Sequence, residues 1–158
     1  VKTVTHKLIG VIGARECDAE TYENARRVGE LLAMRGFSVI CGGLSGVMEA
    51  ACKGAVEAGG ITIGVLPGDS PDAANPYVQF RIATGMGIAR NVIIVRSSAA
   101  VIAVSGGAGT LSEIAHCLQL DVPIVGLDTH DISPGIAQVS TPEEAVERAV
   151  AMAGSADS

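Results

Sequence analysis

The sequence predicts an α/β chain: a doubly wound, mainly parallel sheet with helices on both faces. Three observations predict it. Short apolar runs alternate with segments of helical period. Most of those runs end in glycine or Pro-Gly, as strands do where the chain turns into a helix. The apolar residues are also small. The chain is 48% hydrophobic but only 3% aromatic, with no Trp and 20 Gly, which suits close packing of helices on a sheet. At 158 residues it reads as one domain, 1–158, with its core over about 8–153.

Taken in order, 8-LIGVIG-13 reads as a buried strand ending at Gly13. Over 19–35, Tyr22, Ala25, Val28 and Leu32 fall near one face of a helix that Gly36 stops. The second strand is 37-FSVICGG-43. A helix over about 45–58 follows, with Val47, Ala50, Ala51, Ala55 and Ala58 placed for close packing. The third strand is 61-ITIGVLPG-68, and 68-GDSPDAANPYVQ-79 is a loop by its Pro, Asp and Asn content. Residues 80-FRIATGMG-87 read as a short strand with a glycine-rich exit. Within 88–98, 92-VIIV-95 alone suggests a strand. Between two better strands it reads instead as a buried helix from about Ile88. Strand 100-AVIAVSGG-107, helix 110–120 and strand 123-PIVGLD-128 complete the alternation. The last helix, 141-TPEEAVERAVAMA-153, opens with a capping box: Thr141 at the N-cap, Pro142 at N1 and Glu144 at N3. Residues 1–7 and 154–158 read as frayed ends.

Several classes are disfavoured. The net charge is −6 with no block of like charges, which argues against a nucleic-acid partner. No apolar run is long enough for a membrane partner. Cys17, Cys41, Cys52 and Cys117 are scattered, and His6, His116 and His130 form no H-E-x-x-H pattern. The expectation is free thiols in a reducing cytoplasm and no metal site. G-x-x-x-x-G-K-[ST] and G-x-G-x-x-G are both absent, which disfavours a P-loop NTPase or a NAD-dependent dehydrogenase.

Ligands of such sheets bind at the carboxyl ends of the strands, near the point where strand order reverses. Glycine clusters mark three predicted strand ends: 42-GGLSG-46, 67-PG-68 and 105-SGGAGT-110. Glycine lets backbone N–H groups approach an anion, and the following helix N-terminus adds unpaired donors. The candidate binding residues are Gly13, then Gly42, Gly43, Gly46 and Met48, then Pro67 and Gly68. Arg90 and Asn91 follow, and then Ser105, Gly106, Gly107, Gly109, Thr110 and Glu113. Thr110-Leu-Ser-Glu113 fits a capping box, which would make Glu113 a helix cap. Offset from a phosphate and facing a sugar, Glu113 could instead bind hydroxyls or act as a base. Arg90 is the one cation between Ile82 and Val95 and needs an acid or an anion, either Glu113 or a bound phosphate.

Gly42-Gly43-x-x-Gly46-x-Met48, Arg90 ahead of a helix, and Gly106-Gly107-x-Gly109-Thr110-x-x-Glu113 together resemble the "lonely guy" and molybdenum-cofactor carrier superfamily. The resemblance covers about Ile9 to Ala153 and implies a Rossmann-like fold. One branch holds phosphoribohydrolases that release the base from nucleoside 5'-monophosphates. Its catalytic arginine and glutamate fall on Arg90 and Glu113. The sequence departs from that branch at Ser105, where it has Pro, and at Asn91, where it has Lys. The stretches 62-TIGVLPG-68 and 84-TGMGIARNVIIVRSS-98 look more like the carrier branch, whose members bind a phosphorylated pterin cofactor and form homo-oligomers. Superfamily members have also been labelled lysine decarboxylases. Lys2, Lys7 and Lys53 lie at no strand end, which disfavours that activity.

The resemblance therefore implies a cytoplasmic carrier-like protein binding a phosphorylated small molecule, either molybdopterin or a nucleoside monophosphate. The alternative is a nucleoside-monophosphate phosphoribohydrolase. Single-stranded DNA binding, known for a distant Rossmann domain, fits poorly with the acidic balance and few aromatics. Ala/Gly/Val-rich helices leave apolar surface that predicts a dimer or tetramer.

Overall fold

In the computed structural model, which describes residues 6–155, the first half of the chain runs β1 (Leu8–Gly13), α1 (Ala19–Met34), β2 (Ser38–Cys41), α2 (Val47–Glu57), β3 (Thr62–Leu66) and β4 (Phe80–Ala83). The second half runs α3 (Asn91–Ser97), β5 (Ala100–Val104), α4 (Ala108–Gln119), β6 (Ile124–Leu127), β7 (Ile136–Val139) and α5 (Pro142–Ser155). The strands form one seven-stranded sheet in the order β4-β3-β2-β1-β5-β6-β7. Every neighbouring pair is parallel. The chain starts in the middle, builds outward to β4, then returns to lay β5 against the free side of β1. Order reverses between β1 and β5, where Ile9 pairs with Ala100 and Gly13 with Val104.

Alternating side chains of the strands feed two cores. On one face Ile9, Val11, Ala100, Ile102 and Val104 meet α1, α2 and α5 through residues such as Val28, Ala51 and Ala149. On the other, Ile12, Val101 and Ala103 meet α3 and α4 through Ile94, Val95, Ile114 and Cys117. The expected packing positions of α1 and α2 are buried, except that Tyr22 is half-buried and Ala58 caps α2 in the open.

The structure departs from expectation at four places. Residues 88–98 are a 3-10 turn, Gly87–Arg90, running into the short α3. β7 is an unforeseen strand, whose four-residue IAQV run is too short to announce itself. Helix α4 starts at Ala108 rather than at Thr110. The α5 box forms, but one arm is shifted. Thr141 Oγ1 accepts from Glu144 N–H at 3.2 Å, while Glu144 reaches back to Ser140 N–H at 3.3 Å. The frayed ends expected at 1–7 and 154–158 lie largely outside the described residues. Of the rest, Lys7 Nζ donates to Ala153 O at 3.0 Å, and α5 continues to Ser155.

Helices α1 and α2 touch backbone to backbone. A Cβ on Gly29 would run into the Ala51 carbonyl, and one on Gly54 into the Arg26 carbonyl. Neither obstacle is a movable side chain. Gly29→Ala should therefore lower stability by about 1–3 kcal/mol, despite alanine's better helix propensity. A shift of the urea midpoint to lower concentration checks this, and an unchanged midpoint would contradict the close approach.

Candidate functional site

A cleft of about 390 Å³ opens at the carboxyl end of the sheet, over the β1–β5 junction. Gly13, Ala14 and Arg15 come from the exit of β1, and Met48 from the first turn of α2. Ile88, Arg90 and Asn91 come from the turn into α3. Gly107, Gly109, Thr110 and Glu113 come from the start of α4. Parallel strands deliver all of these to one edge, which is why residues scattered over a hundred positions meet.

The approach to α4 is set by two residues in the left-handed region. Ser105 has φ 51° and Gly106 φ 122°, and together they turn the chain from β5 into the helix. Ser105 is held from both sides: its N–H donates to Leu127 O at 3.0 Å, and its carbonyl accepts from Thr129 Oγ1 at 2.7 Å. Gly106 has no room for a side chain, because a Cβ would collide with Thr110.

Gly107 is the N-cap and offers no side-chain acceptor. The first intrahelical bond is Leu111 N–H to Gly107 O at 3.0 Å, so the helix itself leaves Ala108, Gly109 and Thr110 N–H without an acceptor. They point toward the positive end of the helix dipole. Above Gly107 and Gly109 a Cβ would meet nothing within 4 Å, and neither has a positive φ. Among the described residues no contact requires glycine at these two positions, and both residues line the cleft.

The capping-box reading of Thr110 and Glu113 is overturned. Thr110 sits at the third helical position, not the N-cap, and α4 has no side-chain cap. Glu113 faces the cleft with 8% of its surface exposed. Burial raises its carboxyl to about 7, with the Arg90 charge pulling the other way.

The ion pair with Glu113, one of the alternatives for Arg90, is not formed. Among the described residues no carboxylate lies within 4.0 Å of Arg90. The guanidinium, 7% exposed, donates from Nε to Val65 O at 2.9 Å, from Nη1 to Asn91 Oδ1 at 2.7 Å and from Nη2 to Gly42 O at 3.4 Å. Neutral acceptors orient it and leave its charge uncancelled at short range. Burial holds its pKa below the usual arginine value, Glu113 opposes that, and the nearby Arg15 charge adds to it. Asn91 thus serves as the acceptor that aims Arg90.

The remaining candidates stand behind the cleft. Gly42 offers its carbonyl to Arg90, and Gly43, at φ 77°, offers its own to Asn75 N–H at 2.9 Å. Gly46, at φ 67°, lets the Ala14–Arg15 backbone pass close by. Pro67 and Gly68 accept from Gly87 and Gly85 N–H at 2.9 and 2.8 Å and so brace the 3-10 turn rather than line the cleft. Ser105 and Gly106 shape the turn from beneath. Sequence reasoning missed Ala14, Arg15 and Ile88. Arg15 lies two residues past Gly13, so the strand-end rule could have found it. Ile88, 84% exposed, had no such signal.

Among the described residues no three His, Cys, Asp or Glu side chains are grouped to hold a metal. No helix there is long and apolar enough to cross a membrane. All four cysteines are free thiols.

Fold and cleft together define a Rossmann-like α/β protein with an uncapped helix N-terminus at its topological switch point. The chain belongs to the SLOG cluster4 family, whose model matches residues 6–155, within the "lonely guy"/molybdenum-cofactor carrier superfamily. A protein of Archaeoglobus fulgidus, itself uncharacterized, is 53% identical over 138 residues, covering 87% of this chain and 91% of that one. The molybdenum cofactor binding protein of the phototrophic bacterium Rippkaea orientalis superposes with a TM-score of 0.87 at 36% identity, covering 92% of this chain and 96% of its own. The molybdenum cofactor carrier protein of Chlamydomonas reinhardtii gives a TM-score of 0.87 at 33% identity over 95% and 99%.

Proposed function

We propose that the protein binds a phosphorylated pterin of the molybdenum-cofactor type and carries it without altering it. The observation that carries this reading is the unfilled room over Gly107 and Gly109 beside free helix N–H groups. A phosphate needs that room to reach the backbone. The donor set suits the ligand. Arg15 and Arg90 bring positive charge to the cleft, and Glu113, whose carboxyl pKa is raised by burial, can take up a proton when an anion arrives. The likeness to the two molybdenum-cofactor proteins supports the choice of pterin. Among the described residues no lysine lines this cleft, so the lysine decarboxylase reading finds no support there.

Calorimetric titration with molybdopterin under anaerobic conditions tests this, with nucleoside 5'-monophosphates and inorganic phosphate beside it. Saturable binding of molybdopterin, and no free base after long incubation with the monophosphates, is the expected result. Absence of heat with every phosphorylated ligand would overturn it. Release of free base would move the protein to the phosphoribohydrolase branch.

A further inference from the structure

A second hollow, of about 310 Å³, adjoins the cleft and shares Arg15 with it. Its other walls are Leu44, Ser45, Glu49, Ala73, Asn75 and Pro76. The walls are tied in place. Ser45 Oγ donates to Arg15 O at 2.9 Å, and Val47 N–H to Ala14 O at 3.0 Å. Asn75 Nδ2 donates to Leu44 O at 2.7 Å. Glu49 is steadied by the Tyr22 hydroxyl, which donates to Oε1 at 3.3 Å. Arg15 therefore stands between the two hollows, which are taken below as two lobes of one site.

The lobes differ in charge. The first offers helix N–H groups, Arg90 and a carboxyl that can be neutral. The second has Glu49 as its one carboxylate, set among the apolar surfaces of Leu44, Ala73 and Pro76. A carboxylate repels a second phosphate and accepts from N–H donors. Each carboxylate oxygen has two lone pairs, so the Tyr22 contact leaves capacity for three further donors, enough for a two-pronged partner. Apolar flanks favour a flat ring. A ring presenting two adjacent N–H groups, as a 2-amino-4-oxopyrimidine edge does, matches a carboxylate in the way a guanidinium does.

We propose that this lobe selects the ring end of the ligand: a heterocycle with a 2-amino-4-oxopyrimidine edge, the edge common to pterins and guanine, read by Glu49. The inference rests on the phosphate reading above and adds the determinant of ring specificity.

The test uses purified full-length protein and four probes: inorganic phosphate, ribose 5-phosphate, GMP and IMP. IMP differs from GMP only by lacking the 2-amino group. GMP should bind about tenfold tighter than IMP, the worth of one charge-assisted hydrogen bond. In Glu49→Gln the two should fall within about twofold of each other, with inorganic phosphate unchanged. Leu44→Trp, which fills the lobe from its apolar side, should bring GMP down to ribose 5-phosphate. Equal affinities for GMP, IMP and ribose 5-phosphate in the wild type would overturn the ring lobe and leave the phosphate site standing. No binding of any of the four would overturn the phosphate reading itself. The wild-type GMP-to-IMP ratio decides the matter even if a variant fails to fold.

Discussion

Replacing Gly107 by aspartate should remove the proposed phosphate binding and leave the protein at least as stable. Space and conformation both permit the substitution, since a side chain there meets nothing within 4 Å and φ is −112°. Aspartate is among the best N-cap residues. Its carboxylate accepts from the free N–H groups of the first helical turn and favours the helix dipole, contributing about 0.5–2 kcal/mol. The same two effects remove the site. The carboxylate takes the donors that a phosphate would use, and it adds a negative charge where the phosphate sits. Affinity for inorganic phosphate or a nucleoside monophosphate should fall by at least ~100-fold, counting two lost charge-assisted bonds. Calorimetry reads the binding, and thermal denaturation reads the fold. A variant that still binds would place the phosphate elsewhere. A variant that fails to bind because it has unfolded would show a lowered midpoint, contrary to the expectation.

Glu113 should give the protein a pH-dependent stability and affinity that Glu113→Gln removes. The carboxyl sits at about 7 when folded, against an ordinary value of 4.5. Between these values the folded chain holds a proton that the unfolded chain has released. Folding is therefore favoured at the acid end, and stability declines as pH rises through that window, by at most ~1.4 kcal/mol per pH unit. Above about 7 the penalty is fully present. Glutamine keeps the shape and carries no charge, so the variant should be the more stable protein at pH 8 and about equal at pH 4.5. Anion binding follows the same sign. A phosphate near Glu113 favours the protonated carboxyl, so affinity should rise as pH falls from 8 to 6, with proton uptake visible as a buffer-dependent heat. The variant should lose the part of both effects that Glu113 supplies and keep only the linkage from the phosphate's own second ionisation, at about 6. Equal slopes in the two proteins would mean that Glu113 is ionised throughout.

The alternation of strand and helix was legible because most of the buried strands run into a glycine or proline that local chemistry explains. Gly13, Gly43 and Gly46 did what strand-end glycines suggest. The edge strand β7 was not legible, since IAQV is too short to show a period. The site was legible as a set of residue types but not as roles. Thr110-x-x-Glu113 matches a cap by spacing, and spacing could not reveal that Gly107 had already started the helix. Arg90 required a partner, but the partners turned out to be two carbonyls and a neighbouring amide oxygen, which sequence patterns do not encode. Nor does a separation of eleven residues show that Cys41 and Cys52 bring their sulfurs to 3.5 Å. That approach exists only because β2 and α2 fold onto each other.

The reversal of strand order between β1 and β5 has a mechanical meaning. It divides the sheet into an early and a late portion of the chain, zipped along one internal seam. The cleft spans that seam: Arg15 and Met48 belong to the early portion, Gly107 and Glu113 to the late one. An occupant touching both would clasp the two portions together like a rivet, so that opening the seam would require it to leave first. Occupancy should then slow amide exchange in β1 and β5 together while leaving the outer strand β4 untouched, so the binding state of the protein would be written in the exchange rates of its central strands.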